Sequence, residues 1–526
     1  HPSGTSSYYF GQSIAMSRDG IYLYISEPGN NTVYCYARQN ARVSRSEVIT
    51  GDGTSDTFTL GFDPGDADID VIITPILGTD DEQLPTIDYT VSGNDIVFDA
   101  GAIPALNEEL SVVQRSHYYK LIDTISGPAS TNFGINISTN RYGDTIAIGA
   151  NEREVNNVVK EGTTYIYHRT ITEFTTDGVR STYTAPDSFN TNYYRVTFNG
   201  TELVDGSDYY TVAPASVQFD AFGVPPIGQK LRFETNQFVL DQTITAENTG
   251  IVGQRFGQKV EMCGTGCNVY ITGPEYFTDP YQRGAVNRYL NVGRVFGVVT
   301  GRYTETINGV VTAVTPTVTP GHGIIINDRY VEFNLTILDH VVAQINNASI
   351  PGVTAETVAD GNTTQIKITS DVVVANERLS IKTADGSTAI TDLGISIYKF
   401  AQMITHPNNI GEKFGSSLAL SQSTGKLAIG SNGGDVVVDT TFDKTNTETK
   451  FDSGSTSFVL LTKDSGAVYM YDLMENPFKT ASNPAQFAFS QKLSADVETG
   501  FNFGSDIAIG GEFMIVGATN DFNIVA

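Results

Sequence analysis

The sequence contains no tryptophan, only three cysteines and six histidines in 526 residues, and few basic side chains. Three cysteines are too few for a disulfide scaffold, so stability cannot rest on cross-links. Lysine and arginine number 32 against 59 acidic residues, which gives a formal net charge of −27. Nucleic acids and anionic membranes both attract basic surfaces, so we expect neither as a partner. No apolar run reaches the roughly 18 residues of a membrane-spanning helix, and we expect no membrane insertion.

Motifs that would point to a catalytic or metal site are missing as well. The histidines form no His-Glu-x-x-His motif, and no nucleophile elbow, Walker loop or dinucleotide glycine fingerprint occurs. We therefore predict no enzyme, no catalytic residues, no cofactor and no metal. Paired carboxylates for glycosidic cleavage stay open, because acidic residues are plentiful. The histidines are His1, His117, His168, His322, His340 and His406.

Two smaller groups of residues have a functional and a structural interpretation. Cys263 and Cys267 could form a bridge or half of a metal site, but no histidine or second cysteine pair stands nearby, so free thiols are expected. Asp66, Asp68 and Asp70 could gather a cation. We interpret them instead as the wet face of an edge strand, where charge discourages aggregation.

Five phenylalanine–glycine pairs punctuate the chain. Each is followed by short stretches of alternating apolar and polar residues, and a further such stretch precedes most pairs. Alternation of this period predicts half-buried strands, and a recurring four-stranded unit must bury its faces against its neighbours. We therefore predict an all-β fold, a β-propeller with five visible blades; a β-sandwich is the alternative. The pairs are Phe10-Gly11, Phe133-Gly134, Phe256-Gly257, Phe414-Gly415 and Phe503-Gly504.

These units resemble a known repeat. A Phe-Gly pair, a strand ending in Gly-Ala-Asn (149–151) and the later Gly-Ala-Val-Tyr-Met-Tyr (466–471) are similar to FG-GAP repeats, which build the propeller of integrin α-subunits and of many bacterial surface proteins. Many FG-GAP repeats carry an Asp-x-Asp-x-Asp-Gly calcium loop. The corresponding turns here hold one aspartate at most, as at Asp19-Gly20, whereas calcium takes six to eight oxygen ligands. The resemblance thus implies a calcium-free variety of the repeat.

The intervals between the Phe-Gly pairs greatly exceed the about 40 to 50 residues of one blade, so they contain insertions. The first two insertions match at an offset of 121 residues, as Pro104 matches Pro225, and we interpret them as copies of one small β-module. The third is different. Leu338, Val341, Val342 and Ile345 make a helical stripe, and Thr336 with Asp339 forms a capping signal before it. Residues 345–355 resemble a module of flagellar hook-associated and phage structural proteins.

The sequence therefore predicts a propeller interrupted by modules, and its first and last residues both fall inside repeats, so we expect a segment of a longer protein. The predicted blades are 1–44, 116–171, 237–301, 398–433 with 463–480, and an incomplete 481–526. The predicted insertions are module A (45–115), module B (172–236), module C (302–397, with the short helix) and a loop or hairpin excursion (434–462).

This combination resembles structural proteins of tailed-phage appendages, notably large fibre or decoration proteins of phages that infect marine cyanobacteria. The resemblance implies a non-enzymatic structural or adhesion protein on the virion surface. Its partners would be other virion proteins or a host cell-surface glycan or protein, and a homo-oligomer is compatible with this role. One alternative is a secreted bacterial cell-surface adhesin, at the cell surface or outside it. Another is a polysaccharide hydrolase or lyase with its site in the propeller funnel.

Overall fold

A computed structural model describes most of the chain, and strands are numbered along it. The described residues are 9–40, 46–61, 68–74, 81–83, 89–99, 103–115, 117–155, 157–184, 194–198, 201–203, 210–212, 216–219, 225, 227–228, 230–235, 237–247, 253–274, 284–307, 310–371, 378–407, 413–421, 425–431, 466–474, 484–493, 502–510 and 513–518. His1, Asp66 and the predicted excursion 434–462 lie outside them. The predicted all-β class is confirmed: the fold is nearly all strand, with three short α-helices in the part described.

Five repeated units form the body of the fold. Four are antiparallel four-stranded sheets, and the fifth has two described strands. Unit 1 contains β1 (Ile14–Met16), β2 (Tyr22–Glu27), β3 (Thr32–Asn40) and β11 (His117–Ser126); unit 2 contains β12 (Phe133–Thr139), β13 (Thr145–Ala150), β14 (Thr163–His168) and β22 (Val239–Ile244); unit 3 contains β23 (Val260–Met262), β24 (Asn268–Gly273), β25 (Ala285–Asn291) and β34 (Tyr398–Thr405); unit 4 contains β35 (Phe414–Ser421), β36 (Lys426–Ser431), β37 (Ala467–Met474) and β38 (Gln486–Leu493); unit 5 contains β39 (Phe503–Gly510) and β40 (Phe513–Ala518).

The units pack face to face in chain order. Alternation along β13 shows how: Ile146 and Ile148 join a core with unit 1, whereas Ala147, on the opposite face, joins a core with unit 3. Separate apolar cores likewise join units 3 and 4 and units 4 and 5. Because both faces of an inner sheet are covered, the second and third strands of units 2 and 3 are buried almost throughout. The described residues form an open stack, and no closed ring is seen among them.

Four of the five Phe-Gly pairs lie at these inter-unit contacts, whereas Phe10-Gly11 begins unit 1 and Gly11 has open space around it. The rings of Phe133, Phe256 and Phe414 are fully buried. All five glycines have φ between +86° and +92°, which favours glycine. A Cβ on Gly257 would lie only 2.5 Å from the carbonyl oxygen of Thr163 in the preceding unit. The predicted close backbone approach is therefore present, and it joins each unit to the one before it.

Modules A and B have the same strand order. In each, a four-stranded and a three-stranded sheet enclose a separate apolar core. Module A contains β4 (Ser46–Thr50), β5 (Thr57–Thr59), β6 (Asp68–Thr74), β7 (Asp81–Gln83), β8 (Tyr89–Ser92), β9 (Asp95–Phe98) and β10 (Glu109–Arg115), in sheets β4-β10-β6-β7 and β5-β9-β8. Module B contains β15 (Ile171–Thr175), β16 (Thr182–Thr184), β17 (Tyr194–Phe198), β18 (Thr201–Glu202), β19 (Tyr210–Val212), β20 (Ser216–Gln218) and β21 (Lys230–Thr235), in sheets β15-β21-β17-β18 and β16-β20-β19.

Module C shares its core with units 2 and 3. It begins at residue 292, earlier than the predicted 302, because the strand at Val298–Gly301 pairs with the strand at Thr363–Ser370 inside the module. The predicted helix is present, and Leu338, Val341 and Ile345 on its stripe are buried. The predicted cap is wrong: Ile337 occupies the cap position without a side-chain bond, because its backbone is held in a bridge with Thr317. Module C contains α1 (Val292–Phe296), β26 (Val298–Gly301), β27 (Thr304–Ile307), β28 (Val310–Ala313), β29 (His322–Ile326), β30 (Arg329–Phe333), α2 (Leu338–Asn347), β31 (Val353–Asp360), β32 (Thr363–Ser370), β33 (Ile381–Thr383) and α3 (Ala389–Asp392).

Strand pairing differs from two sequence-based assignments. The strand before each Phe-Gly pair was grouped with the following unit, but β11 pairs with β3, so it completes the preceding sheet after the insertion. The strand of Asp68 and Asp70 was assigned to an edge. β10 pairs along the whole of one side, whereas β7 pairs along the other side only at residues 71–73. The strand is therefore interior at 71–73, and among the described residues Asp68 and Asp70 are paired on one side only.

Candidate functional site

The turns between the first two strands of units 1, 2 and 3 form a continuous row. The backbone N–H of Arg18 donates to the carbonyl of Arg141 at 3.0 Å, and the N–H of Arg141 donates to the carbonyl of Gly264 at 2.8 Å. The first strands are joined in the same order, since the amide of Val260 donates to Asn136 Oδ1 at 2.8 Å. Equivalent turns of consecutive units therefore lie at one edge of the stack.

These turns are closed by their own side chains. Asp19 Oδ1 accepts the hydroxyl of Ser17 at 2.6 Å and the amide of Ile21 at 3.0 Å. In unit 2, Asn140 Oδ1 accepts the amide of Asp144 at 3.2 Å. Within the described residues, no three histidine, cysteine or acidic side chains are grouped so as to hold a metal ion. In the same part of the chain, no helix is long and apolar enough to cross a membrane.

Three of the described histidines make structural contacts. His168 is buried at the end of β14, with Nδ1 2.9 Å from Asp241 Oδ1. His406 is buried too, and its Nε2 lies 2.6 Å from the Tyr469 hydroxyl. His322 Nδ1 accepts the amide of Thr388 at 3.0 Å. His340 is exposed on α2. The structure brings no two of these four side chains together.

Exposed tyrosine rings can stack on sugar rings, but Tyr22 and Tyr24 are too deeply buried to do so. Tyr22 and Tyr24 are fully buried between units 1 and 2. The guanidinium carbon of Arg169 lies 3.4 Å from the centre of the Tyr22 ring, a close cation–π contact. The Tyr24 hydroxyl donates to the carbonyl of Gly143. Both rings therefore fill the core between the first two units.

Arg169 belongs to a buried charged group at the base of module B that the sequence analysis did not find. We call Tyr22, Arg169, Arg195 and Glu234 the basal cluster. Arg195 Nε donates to Glu234 Oε2 at 3.0 Å, and these two side chains are 3% and 1% exposed. Arg169 precedes the first strand of module B and donates through Nε to the carbonyl of Gly143 at 3.1 Å. The cluster thus joins module B to units 1 and 2.

The electrostatics of the basal cluster favour its ionised state. Burial alone would raise the pKa of Glu234, but the charges of Arg195 and Arg169 lower it below the ordinary value. Burial raises the pKa of Tyr22, which stays neutral. At the rim of the same interface, Arg232 lies 3.8 Å from Asp19 of unit 1. Breaking the buried Arg195–Glu234 pair would leave an uncompensated charge inside module B, whereas the contacts of Tyr22 and Asp19 link that module to unit 1.

The outer ends of modules A and B carry the same exposed feature. We call Asp52, Gly53 and Leu106 the tip of module A, and Asp177, Gly178 and Ile227 the tip of module B. Asp52 Oδ1 accepts the amides two and three residues on, at 2.8 and 2.7 Å; Asp177 Oδ1 does the same at 2.9 and 2.7 Å. Both glycines have a positive φ, +74° and +76°. The two turns are therefore built alike.

Each tip presents a large apolar side chain to solvent, and in module B the neighbouring Val179 is exposed as well. Leu106 is 63% exposed and Ile227 is 74% exposed. A Cβ on Gly53 would lie 3.3 Å from Leu106 Cβ, and one on Gly178 would lie 3.2 Å from Ile227 Cβ. Each glycine turn therefore packs directly against the apolar residue of its tip. Leu106 and Ile227 are related by the same 121-residue offset as Pro104 and Pro225. Extending the sequence match by two residues could have found them.

Comparisons with known proteins leave the chain without an assigned family. No family model matches it, and no curated protein matches its sequence. The crystal structure of Saccharomyces cerevisiae Sqt1 is similar at a TM-score of 0.21 and 7% identity, covering 97% of this chain and 80% of that one. Kuenenia stuttgartiensis hydrazine synthase is similar at a TM-score of 0.22 and 11% identity, covering 99% and 98%. Likeness this weak carries no argument about fold or function.

Proposed function

We propose that the chain is a non-enzymatic structural or adhesion protein, a tail-fibre or decoration component of a virion appendage. In this role the stacked units are a rigid hub, and modules A and B present their tips to a host cell-surface glycan or protein or to a neighbouring virion protein. The observation that carries the proposal is the duplicated tip. Two modules with separate cores and one strand order expose an apolar residue at the same position.

We infer that the five units are blades of a calcium-free, FG-GAP-like propeller. The row of hydrogen-bonded turns supports this, because equivalent parts of successive blades surround a common axis in a propeller. The contacts of the first strands in chain order, β1 with β12, β12 with β23 and β23 with β35, support it as well. Blades packed on both faces give the hub the stiffness that a presenting scaffold needs.

Two equivalent tips can bind two equivalent sites on a partner with a repeating structure, such as a surface polysaccharide or a protein array. A single exposed leucine or isoleucine contributes little affinity. When two such residues stand on one rigid body, binding of the first brings the second close to its own contact site. The effective concentration for that second binding event is then high. The contacts of Tyr22 with Arg169 and of Asp19 with Arg232 support this reading, since they link unit 1 to the base of module B and to module B itself.

The test replaces both tip residues. We expect the double variant Leu106→Ser, Ile227→Ser to lose at least about tenfold in attachment of the labelled chain to host cells, and each single variant to lose much less. Val48→Ser is the matched control, because Val48 is 60% exposed on β4 of module A. Unchanged attachment of the double variant, or an equal loss in the control, would contradict the role of the tips.

Deletion of module A tests the division between hub and modules. Because module A has its own core, removing 45–115 should leave the remaining units folded and weaken attachment. Far-ultraviolet circular dichroism and thermal melting measure the first outcome, and the cell assay measures the second. Unfolding of the whole chain would contradict the separation of hub and module.

Two other functions are distinguished by simple observations. A secreted bacterial adhesin would be encoded beside secretion genes rather than tail genes. A polysaccharide hydrolase or lyase would turn over host polysaccharide, and a retaining or inverting hydrolase needs two carboxyl groups. A groove of about 360 Å³ in module C, lined by residues 297–298, 352–354 and 369–371, contributes one carboxylate, that of Asp371, so this groove lacks the pair. We favour adhesion because of the duplicated tips.

A further inference from the structure

Two thiols meet in the turn of unit 3 that ends the row of turns. Cys263 and Cys267 flank Gly264-Thr265-Gly266 between β23 and β24, and their Sγ atoms lie 2.8 Å apart. Cys263 is buried, and Cys267 is partly exposed. The turn places the two side chains together because the amide of Cys263 donates to the carbonyl of Asn268 and the amide of Gly266 to the carbonyl of Cys263. The thiols therefore face each other across a closed hairpin.

Hydrogen bonds converge on one of the two sulfurs. Cys263 Sγ accepts the amides of Cys267 at 2.8 Å and Asn268 at 3.0 Å, and the hydroxyl of Thr265 lies 3.4 Å away. Burial would raise the pKa of Cys263, but the hydrogen bonds from Cys267, Thr265 and Asn268 lower it to about 6. The adjacent Cys267 thiol is the more exposed group, and its pKa is raised. One sulfur is thus suited to be the nucleophile and the other the resolving thiol.

We propose that Cys263 and Cys267 form a peroxide-sensitive dithiol that closes to a disulfide. The Cys263 thiolate attacks one oxygen of hydrogen peroxide, the O–O bond breaks, and Cys263 sulfenic acid and hydroxide form. The Cys267 sulfur then attacks the Cys263 sulfur, the S–O bond breaks, and the S–S bond forms. The sulfenic oxygen leaves as hydroxide, and the thiol proton converts one hydroxide to water. The two sulfurs lose two electrons in total, and peroxide gains them.

Formation of the disulfide would affect the hydrogen bonds that join this turn of unit 3 to neighbouring residues. The three carbonyls between the cysteines all accept hydrogen bonds: Gly264 from the Arg141 amide of unit 2, Thr265 from Arg294, and Gly266 from the Tyr398 hydroxyl. A bridge across these residues restricts the turn that holds them. We therefore expect oxidation to slow hydrogen exchange at the Arg141 amide, which lies in another unit.

The test treats the reduced full-length chain with hydrogen peroxide, unfolds it, and alkylates the remaining thiols with N-ethylmaleimide. One of the three cysteines, Cys35, should remain alkylatable, and the tryptic peptide of residues 260–283 should be lighter by two hydrogen atoms. Cys35 is an internal reference: it is fully buried and its pKa is raised, so we expect it to react at least about tenfold more slowly. Three alkylated cysteines, or a disulfide between two chains, would overturn the proposal.

Two variants keep the assignment of roles testable. Cys267→Ser should stop at the sulfenic acid of Cys263, which dimedone traps, and Cys35→Ser should pair as the parent does. Circular dichroism establishes that both variants fold. Trapping of a sulfenic acid on Cys267 in a Cys263→Ser variant at the parent rate would overturn the assignment of Cys263 as nucleophile.

Discussion

Replacing Phe414 by alanine tests the packing between units 3 and 4. The ring is fully buried and lies in edge-on contact with the rings of His406, Tyr469 and Tyr471, at centroid distances of 5.7, 5.7 and 6.3 Å. Loss of a buried phenylalanine side chain costs about 3–5 kcal/mol. We therefore expect a loss of about 4 kcal/mol in the local free energy of opening.

Hydrogen exchange measured by mass spectrometry resolves this loss along the chain. A cost of about 4 kcal/mol corresponds to exchange about a thousandfold faster in strands whose opening exposes the site. We expect it in β36 and β37 and in the facing strands of unit 3. Module A should be unchanged, because its core is separate. Phe489→Ala is the matched control: that ring is 46% exposed, and its loss should cost less than about 2 kcal/mol. Equal effects of the two substitutions, or faster exchange in module A, would refute the assignment of Phe414 to the inter-unit core.

Further predictions concern the backbone and the basal cluster. Gly257→Ala should destabilise by more than about 2 kcal/mol in chemical denaturation, because φ is +89° and the new Cβ would lie 2.5 Å from a carbonyl oxygen; Gly228→Ala, with φ +80° and open space around it, should cost about 1 kcal/mol. Equal costs would contradict the importance of the close approach. The lowered pKa of Glu234 means that its contribution is present above its unfolded pKa of about 4.5 and is lost as pH falls through the lower folded value. Acid unfolding of the parent should therefore be steeper than that of Glu234→Gln, which is already destabilised at pH 7, and parallel curves would exclude this role. Arg195→Met should destabilise at neutral pH, since it leaves the buried carboxylate unpaired.

The sequence predicted those parts of the fold that repeat at short range. Alternating residues around Ile146 and Ile148 predicted strands, and the stripe from Leu338 to Ile345 predicted α2, because both patterns report burial within one element. The cap at Thr336 was wrong because a bridge from a distant segment holds the backbone there. The fourth strands of units 1 to 3 were misgrouped because pairing across a long insertion leaves no local signal.

The basal cluster could not be predicted from local pattern. Leu231 and Phe233 face the core of module B, so the alternating Arg232 and Glu234 look like an ordinary solvent face. That face is covered because module B packs on unit 1, a contact that depends on tertiary structure. The tips were closer to prediction, since the duplication was visible and only the exposure of Leu106 and Ile227 required coordinates.

The place where the modules join the sheets has a mechanical consequence. Modules A, B and C each leave from the end of a third strand and return at the start of the fourth, and the flanking residues are directly paired, as Asn40 is with His117. Tension on a module would pull both strands along their axes in the same direction. The backbone hydrogen bonds between the second and third strands would resist this pull. They would be loaded in shear, all at once rather than one after another. An anchorage of this geometry should yield at high force, and modules of different length can share it.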